Sequence, residues 1–204
     1  MTLTIGIYIF DNVEVLDFAG PYEVFTTAAR MHARSHESEQ PLFRVATIGP
    51  SSDTVQARAG LKLDPDFTIE EHPKLDCLIV PGGVVTAELH RPQLIAWLNQ
   101  QMQQVSITAS VCTGAFLLAQ TGRLDGLDVI THWEDISDLR AAFPMVQIKE
   151  RVRWTDNGAI VTSAGISAGI DMSLHLVERL ADRTLALRTA KQMDFDWKEN
   201  QLQG

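Results

Sequence analysis

Cys112 lies in Ser110-Val111-Cys112-Thr113-Gly114-Ala115. The run before it, Val105-Ser106-Ile107-Thr108-Ala109, is apolar and β-branched and reads as a buried strand. Residues 115–122 read as a helix with a glycine stop at Gly122. A cysteine at such a strand-to-helix turn is presented like the serine of a G-x-S-x-G nucleophile elbow. The small residues Ala109, Ser110, Gly114 and Ala115 would let the turn close. A helix N-terminus also favours the thiolate, the reactive form. The competing reading is a small buried hydrophobe, and the local sequence does not separate the two.

Other residues could complete a site. Asp17, in Val15-Leu16-Asp17-Phe18-Ala19-Gly20, is a carboxylate among apolar neighbours. It is either a helix cap near Gly20 or a general acid facing Cys112. An ionised Asp17 would oppose the thiolate, a protonated one would donate to it, and the pair would titrate together. Gly82-Gly83 could bring backbone amides close to a reacting atom and, with the Thr113 N–H, form an oxyanion hole; otherwise the pair only makes a turn. His132, after a strand, is a candidate pocket group or a structural histidine. Gly165 and Ile166 precede an apolar helix and could wall the pocket or simply pack closely. Glu23 could face the pocket or solvent. Cys77, inside an apolar strand, reads as core.

These residues need elements to hold them. Residues 3–10 form a first strand, residues 12–19 a loop carrying Asp17, and residues 22–33 a helix with Pro21 at its tolerated start. Residues 34–40 read as a polar loop and 43–48 as a second strand. A short hairpin or edge region around Gly60 covers 55–63. Residues 77–80 form a core strand ending in Pro81-Gly82-Gly83, and 92–104 a helix. After the elbow come a strand at 128–131 and a helix at 136–143. Strands at 146–154 and 159–162 are joined by a turn at Asn157-Gly158. Helices at 168–180 and 184–193 precede a polar tail. The alternation predicts one α/β domain over residues 1–204: a three-layer α/β/α sandwich around a mostly parallel, flavodoxin-like sheet. In such folds sites form beyond the carboxyl ends of the strands. Asp17, Gly82-Gly83 and Cys112 all fall there.

Composition narrows the partners. A net charge of −9 argues against a nucleic-acid or anionic-membrane surface. The two cysteines show no metal-ligand spacing, which suits a reducing cytoplasm and no metal. No signal peptide or membrane-spanning run is apparent in the 204 residues.

Five motifs in order carry a resemblance over nearly the whole chain. They are Leu16-Asp17-Phe18-Ala19-Gly20-Pro21, Val80-Pro81-Gly82-Gly83, Ser110-Val111-Cys112-Thr113-Gly114, Thr131-His132-Trp133 and the TSAGISAGID run at 162–171. With them the chain resembles the ThiJ/PfpI superfamily, of class I glutamine-amidotransferase-like fold. Within it the chain most resembles isocyanide hydratase and, almost equally, the amidotransferase-like sensing domain of AraC-type regulators. The resemblance implies a nucleophile at Cys112, an acidic partner at Asp17, a contribution from the Thr113 N–H and hydroxyl, and a homodimer. Protease-like members have histidine directly after the cysteine, where Thr113 stands here. Isocyanide hydratase-like sequences tend to have histidine in place of Tyr22 and glycine in place of Ala164, so these positions lean towards the regulators. Such regulators carry a DNA-binding region after this domain, and with residues running only to Gly204 the expectation is a chain without one.

The expected function is therefore a cofactor-free, cysteine-dependent hydratase or hydrolase acting on a small molecule. Its most concrete form is hydration of an isocyanide to an N-formamide through a Cys112 thioimidate. The alternatives are a non-enzymatic ligand or oxidation sensor and a glyoxalase- or deglycase-like activity on reactive carbonyls.

Overall fold

The computed structural model describes residues 1–35 and 40–200. Most of the polar loop expected at 34–40, and the last residues of the tail, lie outside the described residues. In chain order the strands are β1 (Leu3–Tyr8), β2 (Phe43–Gly49), β3 (Val55–Gln56), β4 (Lys62–Leu63), β5 (Phe67–Thr68), β6 (Cys77–Val80), β7 (Ile107–Val111), β8 (Asp128–Val129), β9 (Gln147–Ile148), β10 (Trp154–Asp156) and β11 (Ile160–Ser163). The helices are α1 (Val15–Ala33), α2 (Thr86–Leu89), α3 (Pro92–Gln104), α4 (Gly114–Ala119), α5 (Ile136–Ala142), α6 (Ala168–Leu180) and α7 (Arg183–Gln192).

Among the described residues, seven strands form the main sheet in the order β10-β11-β7-β6-β1-β2-β5. Every pairing in it is parallel except β10 with β11. The sequence of β6 and β7 explains their central place. All their residues are buried, and helices cover both faces, so no polar alternation is needed. Helices α1, α6 and α7 pack together on one side, and α3 with α4 on the other. The expected three-layer sandwich is present. Taking β1, β2, β6, β7 and β11 as the principal strands, their spatial order is the 2-1-3-4-5 of flavodoxin-like sheets. The order reverses between β1 and β6, so the crevice opens where their carboxyl ends diverge. Register does the rest. Val80 pairs with Ser110, and Val111 with Ser163, so β6, β7 and β11 end level. Residues 81–83, 112 and 164–166 thus emerge side by side.

Several expectations are corrected. The loop expected at 12–19 is mostly helix: α1 begins at Val15 and continues through Pro21. Local punctuation predicted a break at Gly20-Pro21. Anchoring of the preceding chain outweighs it, since Val13 bridges Gly83 and the Glu14 N–H donates to Gly82 O at 2.8 Å. The strand expected over 146–154 is two short ones, because Arg151 adopts φ 62° between them. Strand β8 leaves the main sheet and pairs with β9 instead. Side chains of the β10–β11 hairpin take up its backbone groups: the Ile130 N–H donates to Thr162 Oγ1 at 2.9 Å. Strand β5 and helix α2 carry too few residues to show a period in the sequence. The hairpin at 55–63 is β3–β4, closed around Gly60.

The tail, polar by composition, is docked. Trp197 and Phe195 pack against the core. Asp171, at the start of α6, accepts the Lys198 N–H on Oδ1 at 2.7 Å and pairs through Oδ2 with Arg153. The Asp171 side chain is fully buried and that of Arg153 17% exposed, so each depends on the other. Removing one member of such a pair strands the other's charge. Asp171→Ala is expected to lower stability by about 3 kcal/mol. A lower urea midpoint and a red-shifted tryptophan emission, as Trp197 undocks, are the readouts.

Candidate active site

Cys112 follows β7 directly, and α4 begins two residues later. Its φ is 56°, a left-handed conformation that costs a non-glycine residue roughly 1–2 kcal/mol. The surroundings hold it there. The Cys112 N–H donates to Ser163 O at 3.0 Å. The buried Thr131 hydroxyl donates to Cys112 O at 2.9 Å. Glycines let the neighbouring chains approach: a Cβ on Gly165 would fall 2.4 Å from Cys112 Cβ, and one on Gly114 2.1 Å from Val80 O. The sharp strand-to-helix turn expected at this cysteine is what the backbone makes.

Asp17 sits in the first turn of α1, fully buried, and makes no capping hydrogen bond. Its Oδ2 accepts the Gly82 N–H at 3.1 Å. The Cys112 thiol interacts with the same carboxyl group, through a contact that leaves the buried Oδ1 without a well-formed hydrogen bond. Burial raises the Asp17 pKa from 3.8 to about 7, against the pull of the Gly82 N–H, with Glu14 adding repulsion. The cap reading is thus set aside by geometry, and the facing carboxyl is present.

The expected lowering of the Cys112 pKa is reversed. Burial raises it, and the Asp17 charge raises it further, while the Thr113 N–H at the sulfur opposes both. Helix α4 has only six residues, too short to offset desolvation with its dipole. Both groups resist ionisation, so the first proton leaves the pair in the neutral range and the second is held tightly.

The glycine loop also departs from expectation. The Gly82 N–H is committed to Asp17, and the Gly83 N–H donates to Thr113 Oγ1 at 2.9 Å. The Thr113 hydroxyl in turn donates to Gly83 O at 2.9 Å. A buried loop satisfies its own donors, so neither glycine amide stands free for an oxyanion. Gly82 remains indispensable for space, since a Cβ there would lie 2.6 Å from the Thr113 N and 2.9 Å from Asp17 Oδ2.

A cavity of about 210 Å³ opens over the cysteine. Cys112, Gly83, Thr113, His132 and Ile166 line it, whereas Gly82, Asp17 and Gly165 are not among its lining residues; Gly165 packs directly against Cys112 instead. His132 Nδ1 is 3.4 Å from Asp135 Oδ2 and 3.8 Å from Glu134 Oε2. Glu23 turns away, bonded to Arg30 and Thr27 at the surface. Cys77 is fully buried at the start of β6, its thiol pushed up to about 12 by burial. Four further lining residues were not foreseen: Glu14, Arg58, Glu134 and Asp135. Glu134 and Asp135 directly follow the Thr131-His132-Trp133 motif and Glu14 lies one helical turn before Asp17, so those were findable. Arg58 arrives only through tertiary packing. Larger hollows of about 470 and 500 Å³ lie along α3, and neither is lined by a cysteine. Among the described residues, no group of His, Cys, Asp and Glu is arranged to hold a metal. Nor is any described helix long and apolar enough to cross a membrane.

A model of the DJ-1/PfpI family matches residues 4–179. The chain belongs to the DJ-1/PfpI family. It is 32% identical to an isonitrile hydratase of Pseudomonas putida, over 96% of this chain and 79% of that protein. It is 31% identical to the HTH-type transcriptional regulator GbdR of Pseudomonas aeruginosa, over 97% of this chain and 52% of the regulator. The chain therefore spans about half the length of the regulator it matches. A crystal structure of a THiJ/PfpI family protein from Pseudomonas syringae superposes with a TM-score of 0.83 at 25% identity, covering 98% of this chain and 77% of that one. This DJ-1/PfpI domain thus has similar relatives among both enzymes and regulators.

The raised Asp17 pKa has a stability consequence. Between its unfolded value of 3.8 and its folded value of about 7, the native state holds a proton that the unfolded state has lost. Asp17's contribution to stability therefore falls as pH rises through that window and stays low above it. Asp17→Asn removes this titration. Its melting temperature relative to wild type should be higher at pH 8 than at pH 4, and thermal melts across that range check the sign.

Proposed function

We propose that this DJ-1/PfpI domain is a cysteine-dependent hydratase or hydrolase of a small molecule, with isocyanide hydration as its concrete form. The observation that carries the reading is the Asp17 carboxyl, buried, coupled to Cys112 and pushed up to about 7. A carboxyl group that keeps its proton well above the usual carboxylate range is matched to proton transfer near neutrality. The similarity to an isonitrile hydratase over most of both chains supports the choice of reaction.

In this mechanism the sulfur of Cys112 attacks the terminal carbon of R–N≡C while Asp17 gives its proton to that carbon and takes the thiol proton in exchange. The product is a thioimidate, R–N=CH–S–Cys112. Water adds across the C=N bond, placing hydroxyl on carbon and hydrogen on nitrogen. The tetrahedral adduct collapses to R–NH–CHO, expelling the sulfur. The water's remaining proton returns to the Asp17–Cys112 pair. Because the Gly82 and Gly83 amides are engaged, the Thr113 N–H carries the electrostatic role by stabilising the departing thiolate. His132 faces the cavity and can orient the water. No cofactor takes part.

A second reading, a small-ligand sensor without turnover, is favoured by the similarity to the regulator GbdR over nearly all of this chain. An isocyanide and 2-oxoaldehyde screen separates the two, and the carbonyl arm tests the glyoxalase-like alternative. Isocyanide turnover that vanishes in Cys112→Ala supports the hydratase; its absence in wild type overturns it. Asp17→Asn keeps shape and a donor but loses the transferable proton. It should lower turnover roughly a hundredfold to ten-thousandfold. Wild-type kcat/KM should fall above pH 7 or so, as Asp17 loses that proton.

We further propose that two copies associate in a reducing cytoplasm, a compartment that suits the free thiols of Cys77 and Cys112. Light scattering should return about twice the chain mass of 22.6 kDa. A monomer at micromolar concentration would count against the dimer.

A further inference from the structure

We propose that the cavity over Cys112 selects a small organic cation, or the cationic end of a small molecule, and disfavours anions. This rests on the functional reading above only in requiring that a small molecule reach the sulfur.

The charge around the cavity is uneven. Glu14, Glu134 and Asp135 line it, against the single guanidinium of Arg58. That guanidinium is already neutralised: Arg58 Nη1 lies 3.1 Å from Glu14 Oε2. Glu134 and Asp135 remain, and no further lysine or arginine is among the described residues lining the cavity. Both carboxylates flank His132, at 3.8 and 3.4 Å, and hold the same side of the opening. Behind Cys112 stands Asp17, fully buried, with Oδ1 unpartnered. Any ionisation of the Asp17–Cys112 pair adds negative charge at the floor to that at the rim. An anionic ligand would meet repulsion at both ends. A cation would relieve it at both.

Shape and surface agree with the charge. About 210 Å³ admits a molecule of few heavy atoms. Trp133, on the turn that carries Glu134 and Asp135, is 73% exposed, and its ring centre lies 5.6 Å from that of His132. An exposed indole beside carboxylates suits a weakly hydrated organic cation better than a metal ion. A low-dielectric pocket lined by one sign of charge concentrates the opposite sign.

The probes are two methanethiosulfonates of matched size, one trimethylammonioethyl and one sulfonatoethyl, with labelling of Cys112 followed by peptide mapping. The rate ratio, divided by the same ratio for 2-mercaptoethanol, should favour the cation by roughly tenfold at low ionic strength. It should shrink with added salt. It should fall towards one in Glu134→Gln/Asp135→Asn. Should the double variant fold poorly, Glu134→Gln alone, at a side chain 64% exposed, should move the ratio in the same direction. A normalised ratio near one, with Cys112 labelled by both reagents, overturns this proposal and leaves the nucleophile reading standing. A cation preference that survives the carboxylate variants overturns it equally. No labelling of Cys112 by either reagent overturns both.

Discussion

A carboxyl group buried without a counter-cation governs this site. Asp17 is fully enclosed, and what it has instead of a guanidinium or ammonium is one backbone N–H, from Gly82, and the thiol of Cys112. One hydrogen bond does not repay the desolvation of a carboxylate. The group therefore keeps its proton far above the usual carboxylate range, and in doing so it changes its neighbour. A thiol next to an ionised Asp17 cannot ionise cheaply, and a thiol next to a protonated one has a donor waiting. The pair behaves as a single acid holding at most one negative charge near neutrality.

The fold exists, at this end, to keep that pair together. Asp17 comes from the first turn after β1, Gly82 from the end of β6 and Cys112 from the end of β7. These are neighbours because the sheet reverses its order between β1 and β6. The contacts then leave little freedom. The Thr113 hydroxyl ties the cysteine turn to Gly83 in both directions. Thr131 and Ser163 hold the strained Cys112 peptide by its carbonyl and its N–H. Gly82, Gly114 and Gly165 are required as contact surfaces, each where a methyl group would overlap atoms of the site or the strand beneath it. The left-handed cysteine is thus set by packing from several segments and not by its own preference.

How much of this could be read from residues alone follows from the range of the forces involved. The apolar runs of β1, β6 and β7 have a meaning that tertiary structure can scarcely alter, and the alternation of strands with helices implied the parallel sheet. Three of the five motifs converge because they end the principal strands β6, β7 and β11, while residues 16–21 sit at the start of α1 and Thr131-His132-Trp133 follows β8, outside the main sheet. Where the outcome depended on distant anchoring, local signals misled. Gly20-Pro21 predicts a helix start, yet the helix begins at Val15, because Val13 and Glu14 are pinned to the Gly82-Gly83 loop. The polar tail carries no local sign of docking, yet Asp171 and Arg153 hold it down. The electrostatics were least legible. A helix N-terminus argues for an acidic thiol, but the length of α4 and the burial of the pair are properties of the assembled fold. The commitment of both glycine amides was invisible for the same reason.

That commitment bears on what the site can do. A hydrolase working through a tetrahedral oxyanion needs free donors where the oxygen charge develops. Here the glycine donors are spent on Asp17 and Thr113, and the donor aimed at the sulfur is the Thr113 N–H. A site so arranged is better matched to a reaction in which charge resides on sulfur and is relieved by proton transfer. Addition of a thiol across an isocyanide carbon is of that kind: the proton moves to carbon as the bond forms. The acidic rim adds to the argument, since negative charge accumulating on a substrate oxygen would be repelled by Glu134 and Asp135, whereas a proton shuttled between Asp17, sulfur and water leaves the net charge of the cavity unchanged. On the function proposed here, the chemistry that suits this pair of acids is proton-coupled addition to a neutral or cationic electrophile.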